Sequence, residues 1–317
     1  MLLLVVATTA LAALGAPVVP PGGIRAVVSD MDGTLFTFAG REISPANKQV
    51  LLECIANEVH VCLATGRLPG PWSDELREAL PGLGPCVFGN GAVVMDAAGD
   101  VIWEAQLPRD IIEAVIDWTK GGIAGAATAG RLVVLAATRW ETADKGHSLR
   151  YCELAPHGPS HITQLIDGAG EPAAVLLPNL DGFEDRQVVK FVIWTNPGEP
   201  GWASMPDTVA ALSDVLGGTG ATILNHGERW CEILPPKVNK GTGVARLLEH
   251  LAVSPRSALA LGDAENDVEM LRLAGIGVAM GNAQPAALDA ADVVVASNVD
   301  DGVAQAVRRF VSPQWAR

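Results

Sequence analysis

The sequence predicts an α/β protein, a doubly wound, mostly parallel (Rossmann-like) core sheet with an inserted α+β domain. Three observations predict it. Short β-branched runs alternate with helical stretches from residue 24 to 88, and the same alternation returns from 241 to 310. Between these blocks the pattern changes to a strand-rich tract.

The elements follow in order. Ile24–Ser29 (IRAVVS) is a β-branched run ending at an acidic cluster, as a buried parallel strand would. Ser44-Pro45 opens a helix with apolar positions at Val50, Leu51, Cys54 and Ile55; Ser is a good N-cap and Pro suits the first turn. His60–Ala64 is a second strand, broken by Thr65-Gly66-Arg67; Pro71–Leu80 is helical and Cys86–Phe88 a third strand. Ala92–Trp103 reads as a hairpin around Ala98-Gly99-Asp100, Arg109–Thr119 as an amphipathic helix. Arg131–Arg139 and Val188–Trp194 read as strands and Pro206–Leu216 as a helix, with a loop-rich stretch around 144–172. In the C-terminal block, Gly241–Leu251, Asp267–Ala274 and Gly302–Phe310 are helices. Ala258–Leu261, Ile276–Met280 and Asp292–Ala296 are strands.

At 317 residues the chain is long enough for two domains, and 49% hydrophobic content supplies their cores. The net charge of −14 speaks against a nucleic-acid partner, because phosphate backbones are held by basic stripes. The five cysteines (Cys54, Cys62, Cys86, Cys152, Cys231) are scattered without a C-x-x-C, which excludes a zinc ribbon and favours single buried thiols. His157 and His161 are separated by Gly158-Pro159, so no helix presents both to a metal. The absence of an N-x-S/T sequon favours an intracellular location, cytoplasmic or organellar. Met1–Ala16 is apolar and uncharged, short for a membrane span and without the positive flank of a signal peptide. It reads as a tail, a signal remnant or an atypical anchor, and no stable membrane partner is predicted.

Four short motifs carry the chemistry. Asp30-Met31-Asp32-Gly33-Thr34-Leu35 puts two carboxylates just after a buried strand, which is costly unless a cation or hydrogen bonds compensate them. Carboxyl ends of strands are where ligands bind in such sheets. Ala64-Thr65-Gly66-Arg67 offers a hydroxyl and a free backbone N–H at a helix start, the makings of a phosphate cradle. Lys240, in Val238-Asn239-Lys240-Gly241-Thr242, opposes the dipole at a helix start, which suits service to an anion. Gly262-Asp263-Ala264-Glu265-Asn266-Asp267 holds carboxylates four apart across a turn, so that both can face one hard cation such as Mg²⁺. Any one of these reads alone as a capped or solvated turn. Together, at strand ends of one sheet, they do not.

In this order, D-x-D-G-T, T-G-R, K-G and G-D-x-x-N-D, the sequence resembles the haloacid dehalogenase (HAD) superfamily of hydrolases. The spellings S-D-M-D-G-T-L, A-T-G-R, G-D-A-E-N-D and V-A-M-G-N-A resemble its Cof-type phosphatases. The resemblance implies a catalytic core over 24–92 and 229–317 with an inserted cap domain over 93–228; residues 1–23 read separately as an apolar N-terminal tail or targeting segment. Spacing agrees: only 33 residues separate Asp32 from Thr65, but 175 separate Thr65 from Lys240, far more than the sheet needs.

The same resemblance implies the roles. Asp30 is the nucleophile that forms an aspartyl-phosphate, and Asp32 the general acid–base. Mg²⁺ is held by Asp30, the Asp32 carbonyl, Asp263 and Asp267. Met31, Thr65, Gly66, Lys240 and Asn266 hold the phosphate oxygens, with Asn282 in support. The expected substrate is a small phosphomonoester, such as a sugar phosphate or a flavin-pathway phosphate. A sucrose-phosphatase-like hydrolase or a phosphomutase on this scaffold is the second reading, and a capped phosphometabolite-binding regulatory protein the non-enzymatic one. Intact Asp30 and Asp32 argue against the last. For substrate selection the candidates are Trp140, Trp194, Trp230, His226, Glu228 and Arg229.

Overall fold

The computed structural model describes residues 19–36, 42–119, 132–142, 146–154, 166, 170–172, 174–177 and 185–316. The apolar segment Met1–Ala16, the pair His157 and His161, and the side chain of Trp140 lie outside the described residues. The described residues form two compact units. One comprises those of Met1–Thr65, Leu76–Trp103 and Asn239–Arg317, the other those of Gly66–Glu75 and Glu104–Val238.

The first unit is built on an eight-stranded sheet. Its strands are β1 (Ala26–Ser29), β2 (His60–Ala64), β3 (Cys86–Phe88), β4 (Val93–Met95), β5 (Val101–Glu104), β12 (Ala258–Gly262), β13 (Ile276–Ala279) and β14 (Val293–Val294), in the order β14-β13-β12-β1-β2-β3-β4-β5. From β14 to β3 every pairing is parallel, and β4 turns back antiparallel on β3. The parallel strands are short and covered on both faces: all four residues of β1 and all five of β12 are buried.

Five helices complete the C-terminal and N-terminal blocks: α1 (Pro45–Ala56), α5 (Lys240–His250), α6 (Val268–Leu273), α7 (Pro285–Ala290) and α8 (Gly302–Phe310). The Ser44 hydroxyl accepts the Asn47 N–H and starts α1, with Pro45 in the first turn. Val244, Leu247 and Leu248 of α5 pack on Val28, Cys62 and Val87 of the sheet. Filling such positions contributes about 1.5–3 kcal/mol per buried aliphatic side chain.

The second unit carries a six-stranded sheet in the order β10-β11-β9-β6-β7-β8. Its strands are β6 (Val133–Thr142), β7 (Gly146–Leu154), β8 (Ala174–Leu177), β9 (Val188–Trp194), β10 (Thr222–Asn225) and β11 (Trp230–Leu234). Pairing is antiparallel except between β7 and β8. Helices α3 (Arg109–Thr119) and α4 (Met205–Val215) lay Ile111, Val115, Met205 and Leu212 on Val134, Phe191 and Ile233. A further helix, α2 (Pro71–Ala79), follows the Thr65-Gly66-Arg67 turn.

Three features differ from the sequence expectation. The stretch read as loop-rich around 144–172 contains β7, whose polar sequence GHSLRYCEL lacks a clean alternation and is a strand because β6 pairs with it throughout. The hairpin β4–β5 extends the eight-stranded sheet rather than the inserted unit. Trp230–Leu234, expected on the core side of a boundary at 228/229, is β11 of the six-stranded sheet, held by β9 and β10. All five cysteines are buried and unbridged. Among the described residues no helix is long and apolar enough to cross a membrane.

Candidate active site

Three neighbouring strands end together. Ser29 of β1 lies level with Leu63 of β2 and Leu261 of β12, so Asp30, one residue on, and Thr65 and Asp263, two residues on, emerge at one edge of the sheet. The backbone ties them: Asp30 N donates to Leu261 O (2.9 Å) and Thr65 N to Val87 O (2.9 Å). After Asp30 the chain folds back sharply, with Thr34 N and Phe36 N both donating to Met31 O (3.2 and 2.8 Å). Gly33 makes this possible. Its φ of +88° suits glycine, and a Cβ there would lie on the Asp263 carboxylate.

Lys240 sits at the first turn of α5, whose N-cap Asn239 forms a reciprocal capping box with Thr242. The helix therefore starts where the side chain of Lys240 is delivered into the protein, 2% exposed. Its Nζ donates to Asp30 Oδ1 (2.6 Å) and to Asp267 Oδ1 (2.7 Å). The other oxygen of Asp267 accepts the backbone N–H of Asp263 (2.9 Å) and Ala264 (3.0 Å), which closes the turn after β12. Thr34 Oγ1 donates to Asp263 Oδ1 (3.1 Å).

Asp30, Asp263 and Asp267 are all buried, and each offers an oxygen within 4.8 Å of the others. Burial pushes the Asp30 carboxyl well above the usual range; Lys240 pulls it back, while Asp267 and Asp263 push it further up. Asp263 is pushed up to about 6 from its ordinary 3.8, by burial first and then by Asp267, against the pull of Thr34 and Lys240. Burial draws the Lys240 ammonium down, but Asp267 and Asp30 outweigh it and hold the group above its ordinary value. Three carboxylates against one ammonium leave two negative charges uncompensated when all are ionised. Such a set of hard oxygen donors fits a divalent cation such as Mg²⁺, which would relieve the repulsion.

The raised carboxyl has a measurable consequence. Between pH 4 and 6, the folded protein holds a proton at Asp263 that the unfolded chain has released, so stability falls as pH rises through that window. The expected loss is on the order of 2–3 kcal/mol in metal-free protein. Urea unfolding at pH 4.5 and 6.5 checks it: wild type should lose this stability relative to Asp263→Asn, and a divalent cation should restore it. A pH-independent gap between the two proteins would contradict the prediction.

The remaining predicted residues distribute as follows. Met31 is buried, whereas Asp32 is exposed. Thr65 is buried and its carbonyl accepts the Asn90 N–H (3.0 Å). The Gly66 carbonyl accepts from Lys190 (2.7 Å) within the second unit. Asn266 Nδ2 donates to Asn90 Oδ1 (2.8 Å). Asn282 Nδ2 donates to Gly33 O (2.8 Å), and Asn298 N donates to Asn282 Oδ1 (2.9 Å), so Asn282 braces the turn that follows Asp30.

Sequence reasoning missed two contributors. Thr34 holds Asp263, and Asn90, buried with a left-handed φ of 55°, orients Asn266. The signal for Asn90 was a Gly89-Asn90-Gly91 turn at a strand's carboxyl end. In the second unit, His226 stacks on Trp230 (ring centroids 5.5 Å), and Trp194, opposite Trp230 in the ladder, meets Trp202 edge-on (5.1 Å). Glu228 and Arg229 are exposed between β10 and β11.

Comparison with known proteins gives the family and the fold. A model of the haloacid dehalogenase-like hydrolases matches residues 27–140 and 183–307. The chain is 31% identical over 300 residues to the chloroplastic endoribonuclease YBEY of Arabidopsis thaliana, covering 90% of this chain but only 46% of that protein. It thus spans less than half the length of that relative. It is 25% identical over 290 residues to the 5-amino-6-(5-phospho-D-ribitylamino)uracil phosphatase YcsE of Bacillus subtilis, covering 91% of this chain and 96% of that one. Among solved structures, the HAD-superfamily phosphatase BT1666 of Bacteroides thetaiotaomicron shares the fold with a TM-score of 0.71 at 20% identity, over 93% of this chain and 99% of that one.

Proposed function

The chain belongs to the haloacid dehalogenase-like hydrolases, and from that premise we propose that it hydrolyses a small phosphomonoester, with Mg²⁺, through an aspartyl-phosphate at Asp30. The observation that carries this reading is the buried Asp30–Lys240–Asp267 arrangement beside Asp263, at the carboxyl edge of a parallel sheet.

Asp30 attacks phosphorus in line with the departing alcohol, forming an oxygen–phosphorus bond as the ester bond breaks. Asp32, exposed where it can exchange protons with solvent, gives the alcohol its proton. It then takes a proton from the water that attacks the aspartyl-phosphate, which returns Asp30 and releases inorganic phosphate. Lys240 favours the ionised form of Asp30, against burial and the neighbouring carboxylates. The Met31 and Gly66 N–H groups, the Thr65 hydroxyl, Lys240 and Asn266 hold the phosphoryl oxygens. Asp30, Asp263 and Asp267, with the Asp32 carbonyl, would hold the metal ion. Its chemistry there is neutralisation of phosphoryl charge.

The Bacillus relative is named for a ribityl phosphate, and it is matched over nearly its whole length. That supports a phosphorylated sugar or polyol of the flavin type as substrate. The test is a panel of phosphomonoesters, with p-nitrophenyl phosphate as generic substrate, assayed with Mg²⁺ and with EDTA. EDTA-sensitive phosphate release, fastest on a sugar or ribityl phosphate, is the expected result. No release from any member would sink the reading, and isomerised phosphate esters would show a mutase instead.

A further inference from the structure

Among the described residues, a second lysine besides Lys240 is fully buried. Lys190, on β9, is 1% exposed, and its neighbours Val188, Val189, Phe191 and Ile193 are buried and apolar. A strand that needed only to fill its sheet would carry another hydrophobic residue there, since burying an ammonium and its counter-ion is costly. Lys190 Nζ donates to Glu232 Oε1 (3.0 Å) and to the Gly66 carbonyl (2.7 Å). Glu232 stands opposite Val192 in the β9–β11 ladder, which puts it on the same face as Lys190, and it is itself 6% exposed.

The Gly66 carbonyl is the group that an apolar side chain could not hold. Glycine has no Cβ to restrict its backbone, so an unanchored Gly66 would let its peptide plane turn. The same unit holds the next residues too. Arg67 faces Glu171 (3.5 Å), Glu171 Oε2 accepts the Leu68 N–H (3.2 Å), and a Cβ on Gly70 would meet the Gly170 carbonyl at 2.7 Å. We infer that Lys190 is a positioning residue: with Glu232 as counter-ion, it fixes the Gly66 carbonyl and so the backbone of the Thr65-Gly66-Arg67 turn that holds substrate phosphate. The inference rests on the phosphate-holding role proposed above for that turn.

Inhibition of p-nitrophenyl phosphate hydrolysis by inorganic phosphate tests it, read beside the thermal midpoint of each protein. Lys190→Met is expected to weaken phosphate inhibition about tenfold, the scale of one lost charge-assisted hydrogen bond, and to lower kcat. It also takes from the buried Glu232 its Lys190 counter-ion, so its thermal midpoint falls. The double variant Lys190→Met/Glu232→Leu removes both charges. It should regain thermal stability while phosphate inhibition stays weak, a separation that a merely structural ion pair would not produce. If Lys190→Met alone does not fold, the double variant and the isosteric Glu232→Gln carry the comparison, the latter with an intermediate loss. A stable double variant with wild-type phosphate inhibition overturns the inference alone. A wild-type protein that neither turns over nor binds phosphate overturns the reading of the site, and the inference with it.

Discussion

Asp30→Asn is expected to abolish phosphate release from every substrate, by on the order of 10⁴-fold or more, while leaving the protein folded. Asparagine keeps the shape of the side chain but cannot attack phosphorus. The stability arm of the prediction has the opposite sign. Asp30 is held well above the usual carboxylate range by burial and by its acidic neighbours, so ionising it opposes folding. Removing that charge leaves Lys240 with Asp267 as counter-ion, 2.7 Å away. Metal-free Asp30→Asn should therefore unfold in urea at the wild-type midpoint or above it at pH 7. Loss of activity together with loss of fold would show that Asp30 is a structural carboxylate, not a strained functional one.

Lys240→Met should be damaging on both counts. Its ammonium bonds to Asp30 and Asp267, and Asp263 lies within the same cluster. Without it, three buried carboxylates face one another, and removing one partner of a buried ion pair costs about 3–5 kcal/mol. Turnover should fall about 10²–10³-fold, because the proposed mechanism uses that charge to steady Asp30 and the phosphoryl oxygens. Two conditions should restore part of the lost stability: acidification, which neutralises carboxylates, and millimolar divalent cation. Urea unfolding of the variant at pH 5 and pH 8, with and without MgCl₂, reads this out. A variant equally stable under all four conditions would mean that the carboxylates do not repel one another as described.

What the sequence discloses about this protein is local. Asp30, Thr65 and Asp263 each follow a short apolar strand, and a strand's end can be read from a few residues. The turn glycines are equally legible, because Gly33 stands where a backbone must reverse beside a carboxylate. What stayed hidden depends on pairings between distant segments. β7 is a strand only by virtue of β6, and its own residues do not alternate. Lys190 reads as one polar residue in an apolar run until its contact with Gly66, 124 positions away, is known. Asn90 meets Asn266 across 176 positions, and no spacing rule connects them. The net charge of −14 describes the molecule's acidity but not its placement; three of its carboxylates gather beside one buried lysine.

The covalent step is the centre of this account, and rapid acid quenching examines it most directly. Protein mixed with a ³²P-labelled phosphomonoester and Mg²⁺, then quenched within the first turnover, should carry label that hydroxylamine releases, as an acyl phosphate requires. Peptide mapping should place that label on Asp30, with none retained by Asp30→Asn. Phosphate release with no labelled protein at any quench time, or label on another residue, would contradict it.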